Sequence, residues 1–312
     1  MCGFVISNKI RKDITGHLIE EYAVQESLIA TQLAQILQLE ISKRESELLL
    51  MAKLPEIRSG SAETCNQALK EIYENPKNKL GNLGRVDENG FFKCSVNEKL
   101  IGVKAEKLGS YITDIFNDPE HKSVMSRAIK PVGTDSYLIA IHVPVFDTDG
   151  KFIGTIGGAI YLNDLKKEYL NDVQIENGGH IAIFDDDGTV LNHYKPETVG
   201  INLASAAFQK LVSGTSPSAQ IIKDIHEGKS GTRLYSFEGV EKIAAFEPAK
   251  VFPNRNWRIL VTMPTSEANN NIIKVGADKV LTGIPVLLCI LVTAVFAFFM
   301  WITRRLFYRT KK

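Results

Sequence analysis

What the sequence lacks first is charge of one sign. Lys and Arg number 37 against 36 Asp and Glu, a net charge of +1 over 312 residues, so no global field recommends nucleic acid as a partner. Cysteine is scarce, with 4 in the chain, and adds little. Cys2 and Cys289 fall in or beside apolar stretches. Cys65 and Cys94 could pair in an oxidising compartment or stay as two buried thiols, and sequence alone carries no geometry to decide. Histidine is equally thin, 6 scattered residues, with His180 and His193 flanking a hairpin and no third ligand near them. No metal is expected there. Apolar material is not lacking: 44% hydrophobic residues exclude disorder on composition and supply a sizeable core for about two domains.

Catalytic signatures are missing as well. Asp185-Asp186-Asp187-Gly188 has the look of a calcium loop, but an EF-hand needs acids five, three and one residues before its glycine. The first of those positions is Ile183. Asp147-Thr148-Asp149-Gly150 fails the same test at Val145, and turn chemistry accounts for all of these acids. Gly228-Lys229-Ser230 resembles the end of a phosphate loop, yet Lys223 stands where its first glycine belongs and no apolar strand precedes it. His226-Glu227 begins like a zinc-protease helix, with Ser230 in place of the second histidine. A Gly-x-Ser-x-Gly elbow is absent. With no nucleophile and no base to activate it, neither an enzyme nor a cofactor is expected.

Proline is absent from the first 54 residues, and Gly16 is the only glycine there after Gly3. Leu18, Tyr22, Ile29, Leu33, Leu37, Ile41 and Leu48 follow at steps of four or seven, a helical apolar stripe with polar residues between. A helix over Asn8–Lys53 would run roughly 68 Å at 1.5 Å per residue. That is a spine for other modules to lean on, ended by Pro55. A second helix is expected over Ala62–Tyr73. Strand-like segments follow in two copies. Leu83–Gly90 answers to Ile181–Gly188, and Ile139–Pro144 to Ile243–Pro248, at a period of about 100 residues, too long for a solenoid unit. Two related α+β modules are therefore expected, at 78–165 and 176–266. A linking helix is expected near Tyr161–Asn171, occupying 166–175 between the modules. Asn89-Gly90, Asp149-Gly150 and Asp187-Gly188 predict tight hairpin turns within antiparallel sheets of five or six strands.

From Val280 to Thr303 no residue is charged, enough for a bilayer-spanning helix with some tilt. Trp301 sits at its far end, where an interfacial aromatic is expected. Arg304, Arg305, Arg309, Lys311 and Lys312 follow with no acid among them, so the C-terminus is expected in the cytoplasm and residues 8–279 outside it. The near-zero charge is thus the sum of a mildly acidic body and a basic stub, 304–312. Met1–Ser7 is too short for a signal-peptide core. It reads either as the remnant of a first transmembrane helix or as a terminus exported by a tail anchor.

In order, these features resemble the double-Cache (dCache) extracytoplasmic sensor domains of bacterial and archaeal transmembrane receptors. The likeness rests on Leu83–Gly90, Ile141–Gly154, Asp185–Val190, Gly228–Gly231 and Asn256–Val261, and covers about Ile10 to Glu267. It implies a long N-terminal helix, two tandem PAS-like (Cache) domains with antiparallel sheets, and one C-terminal transmembrane helix. The first module would be membrane-distal and the second membrane-proximal. It also implies a homodimer joined through the spine and membrane helices. Its function would be small-ligand sensing coupled to a histidine kinase, chemoreceptor or cyclic-di-nucleotide output. No such module follows the span in this chain, so a fragment or a separate signalling partner is expected.

In the amino-acid-binding branch of the family that the chain resembles, an Arg and aromatics follow the first hairpin, and an Asp near the end of the distal sheet holds the ligand's amine. The matching positions here are Ile115 and Ala159. A zwitterion would be left unpaired, which is costly, so an α-amino acid is not the expected ligand. The polar or aromatic residues near the equivalent cavity are Tyr111, Phe116, Ser126, Arg127, Tyr137 and His142. The fork of Arg127 would suit a small carboxylate; the alternative is a solvated arginine salt-bridged on a loop. Alternation along the strand from Tyr137 places Tyr137, Ile139 and Ile141 on one side and His142 on the other, as a structural residue. The alternative is a membrane-anchored scaffold that kept this fold without a ligand pocket and binds a receptor through the spine.

Overall fold

A computed structural model describes residues 2–131, 136–173, 175, 178–211, 216–237 and 239–266, and beyond these 291, 293–295, 297, 298, 300 and 301. Of residues 2–15, 18, 209, 211 and 216–219 it describes the backbone alone. The chain forms two compact units. One comprises Glu21–Pro264, the other Met1–Glu20 with Thr265–Lys312. Most of Val280–Thr303 and all of the basic stub lie outside the described residues. Among those described, no helix is long and apolar enough to cross a membrane.

Helix α1 runs from Cys2 to Met51, so the spine predicted for Asn8–Lys53 is present and begins earlier. Leu33, Leu37, Ile41 and Leu48 of the predicted stripe are each at most 2% exposed. Burial of one such side chain stabilises the fold by about 1.5–3 kcal/mol. The helix stops before Pro55, which instead opens the short helix α2, Pro55–Arg58. Helix α3, Ala62–Glu74, is capped by Ser61, whose hydroxyl accepts from the Thr64 amide.

Two five-stranded antiparallel sheets follow. The first contains β1 (Gly81–Val86), β2 (Phe92–Ser95), β3 (Val124–Met125), β4 (Leu138–Phe146) and β5 (Phe152–Tyr161), with helix α4 (Tyr111–Asn117) between β2 and β3. After α5 (Leu162–Tyr169), the second contains β6 (His180–Phe184), β7 (Val190–Asn192), β8 (Gly231–Phe237), β9 (Val240–Phe252) and β10 (Arg255–Pro264). Helices α6 (Ala206–Leu211) and α7 (Ser216–His226) lie between β7 and β8. The strand orders β2-β1-β5-β4-β3 and β7-β6-β10-β9-β8 are the same topology twice. The sequence repeat is thus a structural one.

The predicted turns form where expected. Gly90, Gly150 and Gly188 take φ of 83°, 82° and 84°, a region open to glycine. In the first two, the leading aspartate locks the turn: Asp87 accepts from the amides of Asn89 and Phe91, Asp147 from those of Asp149 and Lys151. One face of each sheet, represented by Ile139, Ile141 and Val143 and by Ile183, Ile259 and Val261, shares a single core with the spine. The other faces carry separate cores beneath their own helices. Cys65 of α3 and Cys94 of β2 are disulfide-bonded, their Cα atoms 6.0 Å apart, which resolves the choice the sequence left open.

Candidate ligand cavity

On the face of the first sheet turned away from the spine lies a cavity of about 140 Å³. Small residues hollow its floor: Ala140 of β4 pairs with Ala159 of β5, and His142 with Gly157. Gly157 has no side chain because the imidazole of His142 fills the space a Cβ would take. Tyr111 of α4, Leu100 and Leu108 close one wall; Ile129 and Pro131 close another.

The polar groups there are few and neutral. Burial holds His142 down to about 4, so it is an uncharged imidazole at neutral pH. Its Nδ1 lies 3.1 Å from the Thr155 hydroxyl, and Tyr111 stacks edge-on to the ring. Burial pushes the Tyr111 phenol up, well beyond its ordinary range. Asn82 and Asn97 complete the set. The Asn82 amide donates to the Tyr161 hydroxyl at 3.2 Å. None of the described residues lining the cavity is charged.

Of the site residues predicted from sequence, the cavity gathers Tyr111 and Ala159. Phe116 packs edge-on against Phe152, away from the lining. Ser126 is buried and spends its hydroxyl on the Arg127 carbonyl and the Ala140 amide. Arg127 reaches the second module, with Nη1 at 3.4 Å from Asp185, 2.5 Å from Asp186 and 2.9 Å from Asp187. Oxygens of these three carboxylates lie within 4.8 Å of one another. Tyr137 lines a different cavity, about 320 Å³, with Lys130, Lys166, Asn192 and Glu197. Its ring rests on Gly200, where no side chain could fit.

The alternation expected along β4 holds, with Ile139 and Ile141 on one side and His142 on the other, but it is the His142 side that lines the cavity. Leu138, Ala140 and His142 face the cavity, while Ile139 and Ile141 face the spine. The reason is packing: bulky β-branched residues fill the core against α1, and small or polar ones leave the hollow. A larger open groove of about 550 Å³ lies between α1 and α5. Of its charged residues, Arg44 pairs with Glu40 and Lys79 with Glu168.

The model of the Cache domain family matches residues 6–272. The fold is similar to the periplasmic sensory domain of the Campylobacter jejuni chemoreceptor Tlp1, at 20% identity and a TM-score of 0.62, covering 80% of this chain and 98% of that one. It is also similar to the ligand-binding domain of the Pseudomonas fluorescens chemoreceptor CtaA, solved with L-isoleucine (18%, TM-score 0.59, 86% and 99% covered). A third is that of the Pseudomonas aeruginosa amino-acid chemoreceptor PctC, solved with GABA (18%, TM-score 0.57, 75% and 96% covered). At these identities the likeness shows the fold. No curated protein matches the chain.

Proposed function

The chain belongs to the Cache domain family, and on that premise we propose that residues 8–279 are the extracytoplasmic small-ligand sensor region of a membrane-bound signal-transduction receptor. The observation that carries this reading is the partly open cavity on the first sheet, walled by α4 and by the segment after β3. Ligand pockets are concave and mostly apolar, with a few convergent polar groups, and this one has that make-up. An apolar cavity near 150 Å³ admits a molecule the size of benzene, so the ligand is small.

Its charge state follows from the lining. A zwitterion or a free carboxylate would bury charge beside Asn82, Tyr111 and an uncharged His142, with no described counter-ion to meet it. Arg127, the group suited to a carboxylate, is engaged by three aspartates elsewhere. The ligand class supported best is therefore a small neutral molecule with one or two hydrogen-bonding groups, such as an amide or an alcohol. Val280–Thr303 serves as the anchoring span and 304–312 as its cytoplasmic stub. The modules divide at 78–165 and 176–266.

A second reading has its own observation. Val24, Leu28, Leu39 and Leu50 of α1 are 71, 58, 69 and 65% exposed, an apolar face opposite the buried stripe. This face suits a second copy of the spine in a homodimer, or, in the scaffold reading, a partner receptor. Thermal-shift screening of the full chain separates the two readings. Small neutral amides and alcohols are expected to raise the melting temperature, with isoleucine, GABA and acetate having no effect. Silence across the whole panel would favour the scaffold.

A further inference from the structure

The segment from Met125, the last residue of β3, to Pro131 touches both modules, the second with its first half and the cavity with its second half. Met125 and Arg127 face the second module. The Asn254 side chain, in the β9–β10 turn, accepts from the Met125 amide at 3.3 Å and donates to the Met125 carbonyl at 3.1 Å. Arg127 meets the three carboxylates of the β6–β7 turn. Ile129 and Pro131 face the other way and wall the cavity of the first module. Between these contacts the segment is stitched to the cavity floor. The Ser126 amide donates to the Ala140 carbonyl, and Ile129 and Leu138 exchange both backbone hydrogen bonds.

The electrostatics make this joint demanding. The Asp185 side chain is 1% exposed, and a buried carboxylate needs a partner. Among the described residues, Arg255 lies 3.8 Å from Asp186, and Arg258 feels Asp185 and Asp186 from β10. Neither belongs to the first module. Arg127 is the described cation that crosses to this turn. A guanidinium held by three carboxylates has little freedom to shift along the segment, because each displacement lengthens a charge-assisted bond.

We propose that the acidic turn Asp185–Asp187 of the second module positions the Ile129–Pro131 wall of the first module's cavity through Arg127. Arg127 is then a positioning residue rather than a ligand contact. The wall and the turn form one mechanical element: a ligand pressing on Ile129 is felt at the second module, and a shift of that module reshapes the cavity. Linkage makes the coupling reciprocal. The inference rests on the reading of this cavity as the ligand site, but its test requires no ligand.

Amide hydrogen exchange on the full chain without additives reads it directly. The variants are Arg127→Gln, the pair Asp186→Asn with Asp187→Asn, and the charge exchange Arg127→Asp with Asp186→Arg. Loss of charge-assisted bonds is expected to speed exchange at Ile129 and Leu138 by about tenfold or more. The amides pairing β1 with β5 stay as in the parent, and the charge exchange recovers most of the protection. The aspartate pair matters most, since it leaves the first module's own sequence intact. Unchanged exchange at Ile129 and Leu138 in that variant overturns the proposal. So does a uniform rise across the first module, the mark of simple destabilisation. A ligand panel that finds nothing would sink the sensor reading and leave this result standing.

Discussion

Glu26 is the residue most at odds with its surroundings. It lies on α1 at 3% exposure, and neither carboxylate oxygen has a hydrogen-bond partner among the described residues. Burial pushes it up to about 9, so the folded protein holds it protonated where the unfolded chain ionises it. A raised carboxyl contributes stability that is complete below about 4.5 and is lost as pH rises towards 9. Other groups act lower. Burial pushes Asp185 up to about 6, and burial holds His142 and His180 down to about 4 and about 3; the unfolded imidazoles titrate around 6.5, so these effects are finished by about pH 7.5. Between pH 7.5 and 9 the unfolding free energy is expected to fall by up to about 1.4 kcal/mol per pH unit. Denaturant melts of Glu26→Gln over that range should be flat and more stable at pH 8; a parallel slope in the variant would contradict this assignment. At this scale the sequence was only partly legible. Tyr111 and Ala159 could be placed in the cavity, but His142 could not. Alternation gives the period of a strand and not its phase, and both faces of β4 are buried.

Among the elements, the spine and the turns were the most readable. A proline-free stretch with apolar residues at helical spacing leaves few alternatives, and Asp-Gly pairs need the left-handed glycine that the structure contains. The exposed face of α1 was missed because Val24, Leu28, Leu39 and Leu50 belong to no unbroken heptad. The disulfide could not be read at all, since it depends on the distance between α3 and β2. It ties elements 29 residues apart in sequence, and on the chain-entropy argument it contributes about 3–4 kcal/mol. Reduction, or Cys65→Ser with Cys94→Ser, is expected to lower stability by that order in chemical denaturation. An effect below about 1 kcal/mol would mean that the packing of Cys65 and Leu69 under β2 already fixes the element.

For the molecule as a whole, the repeat in sequence foretold two sheets of one topology, and the period was enough because each copy kept its turns. The joint between the copies was not foreseeable. Arg127 read either as a ligand group or as a salt-bridged loop residue, with no partner assigned, because Asp185–Asp187 looked like turn chemistry of another module; they are that, and also the seat of the guanidinium. The central claim is that the first module's hollow, floored by Ala140, Ala159 and Gly157, receives a small neutral ligand. Calorimetric titration tests it most directly, using the full chain and the neutral compound that most raises its melting temperature, in the parent and in Ala159→Leu. The account predicts saturable one-site binding in the parent and its loss in Ala159→Leu, with the melting temperature of the free variant within a few degrees of the parent. Equal affinity in the two proteins would place the ligand elsewhere and contradict the account.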